Sequence, residues 1–168
     1  MRALILIVLL VVTGCASQMS SSSPKLDRSQ IIYIMPLTNQ SAMPMAQAQV
    51  EQLLASVLAD RGLRVEVYPK LQVNDLQASI EPELREAEAR AWLADKPQGY
   101  VMYGAVQEWQ YKYGLDGEPA VGVTLQLTDM QGQVLWRGAV AQSGWGRESL
   151  AQLGLKALQK LTSNLNWD

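Results

Sequence analysis

The stretch "AVGVTLQLTDMQGQVLWRGAVAQSG", residues 120–144, decides the class of fold. Residues 120–130 alternate between apolar and polar types, which is the period of a β-strand with one buried face. A further strand is predicted over 133–144. Gln131-Gly132 separates the two runs and is typical of a tight hairpin turn. The stretch therefore predicts two adjacent antiparallel strands.

The sequence upstream of this hairpin switches between strand and helix patterns. A long strand is predicted over 100–113, directly before the hairpin. The order β-α-β-α-β-β-β-α favours parallel pairing early in the chain and antiparallel pairing late. We predict one α/β domain over 30–168, with helices packed on a mixed β-sheet. The other predicted elements are strands at 30–37 and 63–69 and helices at 43–62, 82–96 and 147–163.

The composition excludes several classes of site. The chain of 168 residues contains no histidine and one cysteine, which removes Ser-His-Asp triads, Cys-His dyads and most zinc sites. Asp116 and Glu118 lie in a predicted turn without the polar neighbours that glycoside hydrolysis needs. We therefore expect no enzyme activity, no cofactor and no metal. The formal net charge of −2 and the lack of a basic patch argue against a nucleic-acid partner.

The N-terminal residues have the layout of a signal peptide over 1–14. Arg2 precedes an apolar run that is shorter than the roughly 20 residues of a membrane-spanning helix. Val12-Thr13-Gly14-Cys15 resembles the lipobox of bacterial lipoproteins, which implies cleavage before Cys15 and acylation of its sulfur. The alternative is an ordinary signal peptide with an incidental cysteine. Ala16 favours the outer membrane, because an aspartate there would resemble the inner-membrane retention signal.

A polar, serine-rich segment follows the lipidated cysteine. We predict that residues 15–29 form a flexible tether between the lipid and the domain. Such a short tether keeps the domain near the membrane. Trp145 lies between two glycines, at the predicted corner from strand to helix. It either packs in the core or contacts the membrane, where Arg147 can reach lipid phosphates.

The predicted strand at 100–113 ends with an aromatic face. Trp109, Tyr111 and Tyr113 alternate there with polar residues. In one interpretation this face packs on a helix. In the other it is a subunit interface, which suits tyrosine and tryptophan because they combine a large apolar area with a polar group.

Two segments carry a resemblance to a known family. "EWQYKYGLDGEPAVGVTLQLTD" (108–129) and "GQVLWRGAVAQSGWGRES" (132–149) resemble the PelC family, the outer-membrane lipoproteins of Pel exopolysaccharide export. The resemblance runs from the lipobox to the last helix. It implies a fold similar to the periplasmic domains of curli-channel lipoproteins and to TolB N-terminal domains. It also implies a non-enzymatic, homo-oligomeric ring on the periplasmic face of the outer membrane, with an aromatic belt that meets the membrane.

In such a ring an acidic lumen would funnel a cationic polysaccharide toward an outer-membrane porin, for export and biofilm formation. Our candidates for polymer-facing acidic residues are Asp116, Glu118 and Asp129, since they lie near predicted loop tips. Loss of Arg2 with the signal leaves 13 of the 14 basic residues against 16 acidic ones, a mature charge of −3. A ring multiplies and focuses that charge.

Two other classes of function stay open at this point. The first is a lipoprotein that activates or regulates peptidoglycan synthesis, although the short tether gives it little reach. The second is a curli-type secretion channel subunit, which needs long amphipathic strands to cross the membrane. The only long amphipathic segment is 100–113, and Val106 interrupts its charged face.

Overall fold

The computed structural model describes residues 16–69, 82–112, 117–145 and 148–168. Its α/β class and the predicted order of eight elements are confirmed, with a few short strands added. The strands are β1 (Ala16–Ser20), β2 (Lys25–Leu26), β3 (Ile31–Ile34), β4 (Thr38–Asn39), β5 (Arg64–Val67), β6 (Gly99–Tyr111), β7 (Pro119–Asp129), β8 (Val134–Ser143) and β9 (Asn166–Trp167). The helices are α1 (Ala46–Asp60), α2 (Pro82–Ala94) and α3 (Leu150–Thr162).

The main sheet is mixed, as predicted, and its strands follow the order β1-β8-β7-β6-β3-β5. β3 pairs in parallel with both β5 and β6. The long strands β6, β7 and β8 form the antiparallel part. β4 pairs with β6, and β2 and β9 form a separate two-stranded ribbon. The predicted hairpin turn is also present, with Gly132 at a positive φ of 85°.

Helices cover the two faces of the sheet unequally. α1 and α3 bury their apolar stripes on one face, in the larger core cluster. The serine-glutamine capping box of α3 (Ser149 and Gln152) fixes where that helix begins. On the opposite face Trp92 of α2 meets the edge of Tyr33, with ring centroids 5.9 Å apart. This smaller cluster lies over β3, β5 and β6.

The segment predicted as a flexible tether is part of the fold. All five residues of β1 pair with β8, and the Gln18 side chain donates to the Lys160 carbonyl at 3.2 Å. Leu26 is buried in the core. The tether prediction is therefore wrong for these residues. Their polar side chains hid the pairing, because the edge of β8 offers backbone hydrogen bonds that need no apolar partner.

A β-bulge in β6 overturns the predicted role of Trp109. Val106 pairs with Val123, but Glu108 pairs with Gly122, so Gln107 is an extra residue. The bulge reverses which side chains point to the α1–α3 face. Trp109 is 0% exposed and donates from Nε1 to the Gln49 side chain of α1 at 3.1 Å. The prediction that Trp109 forms a subunit interface is wrong, and its packing on helices is confirmed.

Candidate functional site

One end of the sheet gathers several of the predicted functional residues. Ala16 pairs with Gln142, one residue before the end of β8. Cys15 directly precedes Ala16 in the sequence. Trp145 follows β8 by two residues. Ala16 and Trp145 therefore belong to the same end of the sheet, which we call the anchor end.

Trp145 points outward at the anchor end. It is 79% exposed, the largest exposed fraction of any large apolar residue in the described ranges. Gly144 donates its N–H to the Pro119 carbonyl at 2.7 Å, and a Cβ at Gly144 would lie 2.7 Å from the Pro119 ring. The Trp145 indole, with 79% of its surface exposed, does not pack in the core of the subunit. The core alternative for Trp145 is excluded, whereas Arg147 lies outside the described residues.

The contacts around the start of α3 hold this corner in place. Glu148 forms an ion pair with Lys156 at 2.8 Å, and its side chain is 17% exposed. The Tyr111 hydroxyl accepts a hydrogen bond from the Leu150 N–H at 3.3 Å. Tyr111 remains half-exposed, and its predicted place in a subunit interface stays a prediction. Tyr113 lies outside the described residues.

The acidic candidates do not form one cluster. Glu118 and Asp129 flank opposite ends of β7, roughly 35 Å apart along an extended strand. Glu118 lies at the anchor end, where its carbonyl accepts from the Lys112 N–H at 2.7 Å. Its carboxylate forms no salt bridge within the described ranges. Asp116 lies outside those ranges.

Asp129 has a structural explanation of its own. Its Oδ1 accepts the N–H groups of Gln131 and Gln133, at 3.0 and 2.8 Å. Such bonds are typical of an aspartate that stabilises a turn. Asp129 therefore holds the β7–β8 hairpin at the far end of the sheet, away from Glu118 and Trp145.

Sequence reasoning missed an uncovered surface on the sheet. On this side of the sheet α2 packs over Val101 and Tyr103, near the start of β6. No helix in the described part of the chain covers the outer side of β1, β8, β7 and the rest of β6, which we call the open sheet face. A row of in-register residues crosses it, and Met19 in this row is 77% exposed. Ala139, Ala141 and Ser143, three small residues at alternate positions in the second half of β8, were the available signal. The row consists of Met19, Ala139, Thr124 and Ala105.

Two other kinds of site were sought in the described ranges. No helix there is both long and apolar enough to cross a bilayer. No group of three or more cysteine, aspartate or glutamate residues there is arranged to hold a metal ion.

Comparison with solved structures finds extensive similarity to PelC. The chain is 29% identical to the PelC dodecamer from Paraburkholderia phytofirmans, with a TM-score of 0.70 over 92% of this chain and 100% of that one. A dodecamer of a single-residue variant of that protein has the same values. Lipoprotein GNA1162 from Neisseria meningitidis is 20% identical, with a TM-score of 0.53 over 80% and 99% of the two chains, and shows likeness of fold alone. No family model and no curated protein matches the chain.

Proposed function

We propose that this PelC-like chain is an outer-membrane lipoprotein of exopolysaccharide export. In this proposal it forms a ring on the periplasmic face of the membrane and guides a cationic polymer toward a porin. The observation that carries the proposal is that Ala16, the residue after Cys15 in the sequence, and the exposed Trp145 lie at one end of the sheet. A lipid on Cys15 and an indole at the bilayer interface would then hold the domain in one orientation.

The pairing of β1 strengthens this proposal over its alternatives. Because β1 begins at Ala16, almost no free chain separates an acylated Cys15 from the sheet. An activator of a peptidoglycan synthase would need reach across the periplasm, and this anchor provides none. A curli-type channel subunit would need amphipathic strands that cross the bilayer. Trp109, the central aromatic residue of the longest strand, is instead buried under α1 and α3.

Ring assembly is the first part of the proposal that an experiment can test. The open sheet face offers small side chains and the exposed Met19, which suit contact with a second copy. We expect native mass spectrometry of the lipidated protein in detergent to detect oligomers. Ala139→Arg should dissociate them without unfolding the subunit. Gln133→Arg, in the exposed hairpin turn, is the matched control. A wild-type protein that is strictly monomeric on membranes would contradict the ring.

Membrane contact by Trp145 predicts a separation of stability from function. Trp145→Ala should change the free energy of unfolding by less than about 0.5 kcal/mol, because the side chain is exposed. The same variant should lower the affinity of the non-acylated Cys15→Ser protein for anionic liposomes and reduce polymer export. Met19→Ala removes an equally exposed apolar side chain away from the anchor end. If both variants weaken liposome binding equally, Trp145 has no special role at the membrane.

The acidic funnel is tested by comparing the two ends of β7. Glu118→Lys should reduce export of a cationic polymer several-fold while leaving the melting temperature unchanged. Asp129→Asn is the control, since an asparagine Oδ1 can still accept the two turn hydrogen bonds. We expect it to leave export unchanged. Loss of export in Asp129→Asn with normal export in Glu118→Lys would reverse our assignment of the polymer-facing end.

A further inference from the structure

A cavity of about 560 Å³ opens where β3 ends, next to β6. From β3 the chain passes to β5 on one side and then returns to β6 on the other side. This reversal is the topological switch point at which open α/β sheets place their ligands. The volume lies within the range of small-molecule sites. The residues of the wall that matter here are Met35, Met45, Gln47, Arg85, Glu86 and Tyr103.

Two features of the first turn of α1 are unexplained by the fold. Gln47 is 8% exposed, and its buried Oε1 has no hydrogen-bond donor among the described residues. A buried acceptor without a donor destabilises a protein. Met45, which caps the helix, has a left-handed φ of 60° without a side-chain cap. Such strain in a residue other than glycine is concentrated at functional sites.

The charges around the cavity favour a neutral ligand. The Arg85 guanidinium lies 3.4 Å from the carboxylate of Glu51, so its charge is already compensated. Glu86 is likewise paired with Arg90. The Tyr103 phenol is protonated at neutral pH and can donate a hydrogen bond, and burial raises its pKa further. The described part of the wall thus combines hydrogen-bonding groups with apolar methionine and tyrosine surface, and its charged residues, Arg85 and Glu86, are both paired.

We propose that this cavity binds a single neutral sugar ring. A ring hydroxyl would donate to the orphan Oε1 of Gln47, and ring oxygens would accept from Arg85 or the Tyr103 phenol. The C–H face of the ring would pack on the apolar wall. The ligand is either a free sugar or the terminal ring of a polysaccharide, since both present the same chemistry. This inference does not depend on the proposed ring or on its lumen.

The test measures sugar binding by saturation-transfer NMR on the full lipidated protein in detergent. The probes are glucose, N-acetylglucosamine and N-acetylgalactosamine, each at millimolar concentration, with galactosamine and galacturonate as charged comparisons. We expect at least one neutral sugar to bind better than both charged ones. Gln47→Met should weaken that binding about tenfold through loss of one hydrogen bond. The same change should preserve or raise the melting temperature, because it removes a buried unpaired acceptor.

Gln52→Met is the matched control, since Gln52 is exposed on the same helix and does not line the cavity. It should leave binding unchanged.

A disaccharide that binds as well as the monosaccharide would identify a polymer end as the ligand, and binding of the monosaccharide alone would identify a free sugar. The proposal is overturned if no neutral sugar binds, if a charged sugar binds best, or if Gln47→Met binds like the wild type. Loss of ring assembly or export with sugar binding intact would instead count against the proposed function alone.

Discussion

Trp109→Ala is expected to lower the free energy of unfolding by about 3–5 kcal/mol, as is usual for loss of a fully buried large aromatic side chain. Trp109 is completely buried beneath α1 and α3. A Cβ added at Gly154 of α3 would lie 2.2 Å from its ring, so the helix packs directly on the indole. The substitution would leave a cavity and would also remove the donor of the hydrogen bond to the Gln49 side-chain Oε1.

Urea unfolding followed by circular dichroism would measure this loss. Trp145→Ala is the natural comparison, because it removes the same side chain from an exposed position. We expect the two variants to differ by at least about 2.5 kcal/mol in unfolding free energy. A Trp109→Ala protein that unfolds like the wild type but no longer assembles would restore the subunit-interface hypothesis that the structure rejects.

Gly104→Ala is expected to destabilise the fold by about 1–3 kcal/mol or more, as overpacking does in other cores. Gly104 lies in β6 opposite Leu125 of β7. An added Cβ would lie 2.4 Å from the Thr124 carbonyl oxygen and 2.8 Å from a methyl group of Leu125. The carbonyl belongs to the backbone of a central strand, so it cannot move aside without disturbing the β6–β7 ladder.

The melting temperature of Gly104→Ala should therefore fall by several degrees, as measured by differential scanning calorimetry. Ala105→Ser is the control at the adjacent position, because the side chain of Ala105 lies on the open sheet face and is only partly buried, which leaves room for one more atom. It should change stability by less than about 0.5 kcal/mol. Equal melting temperatures for Gly104→Ala and the wild type would mean that β6 and β7 tolerate a wider separation than the structure indicates.

The class of fold and most of its elements were predictable from the sequence. Alternation over 120–130 and the Gln131-Gly132 turn predicted the β7–β8 hairpin, and helical spacing predicted α1, α2 and α3 to within a few residues. These features depend on neighbouring residues, so periodicity reports them directly. The resemblance to the PelC family is likewise supported by the solved structures. The exposure of Trp145 was one of two interpretations, and the structure, in which this side chain is 79% exposed, decides between them.

Contacts between distant segments were decided only by the tertiary structure. Local sequence does not indicate that β1 pairs with β8, because the two strands are joined by backbone hydrogen bonds, which do not depend on the type of side chain. The bulge at Gln107 adds a single residue to β6. Because side chains along a strand alternate between the two faces of the sheet, every β6 residue after the bulge lies on the face opposite to the one that simple alternation predicts. That reversal buries Trp109. Glu118 and Asp129 are far apart because they lie at opposite ends of β7. The cavity beside Gln47 forms because the chain places β5 on one side of β3 and β6 on the other. All of these features depend on which strands are neighbours in the sheet, and the order of residues along the chain does not by itself specify that.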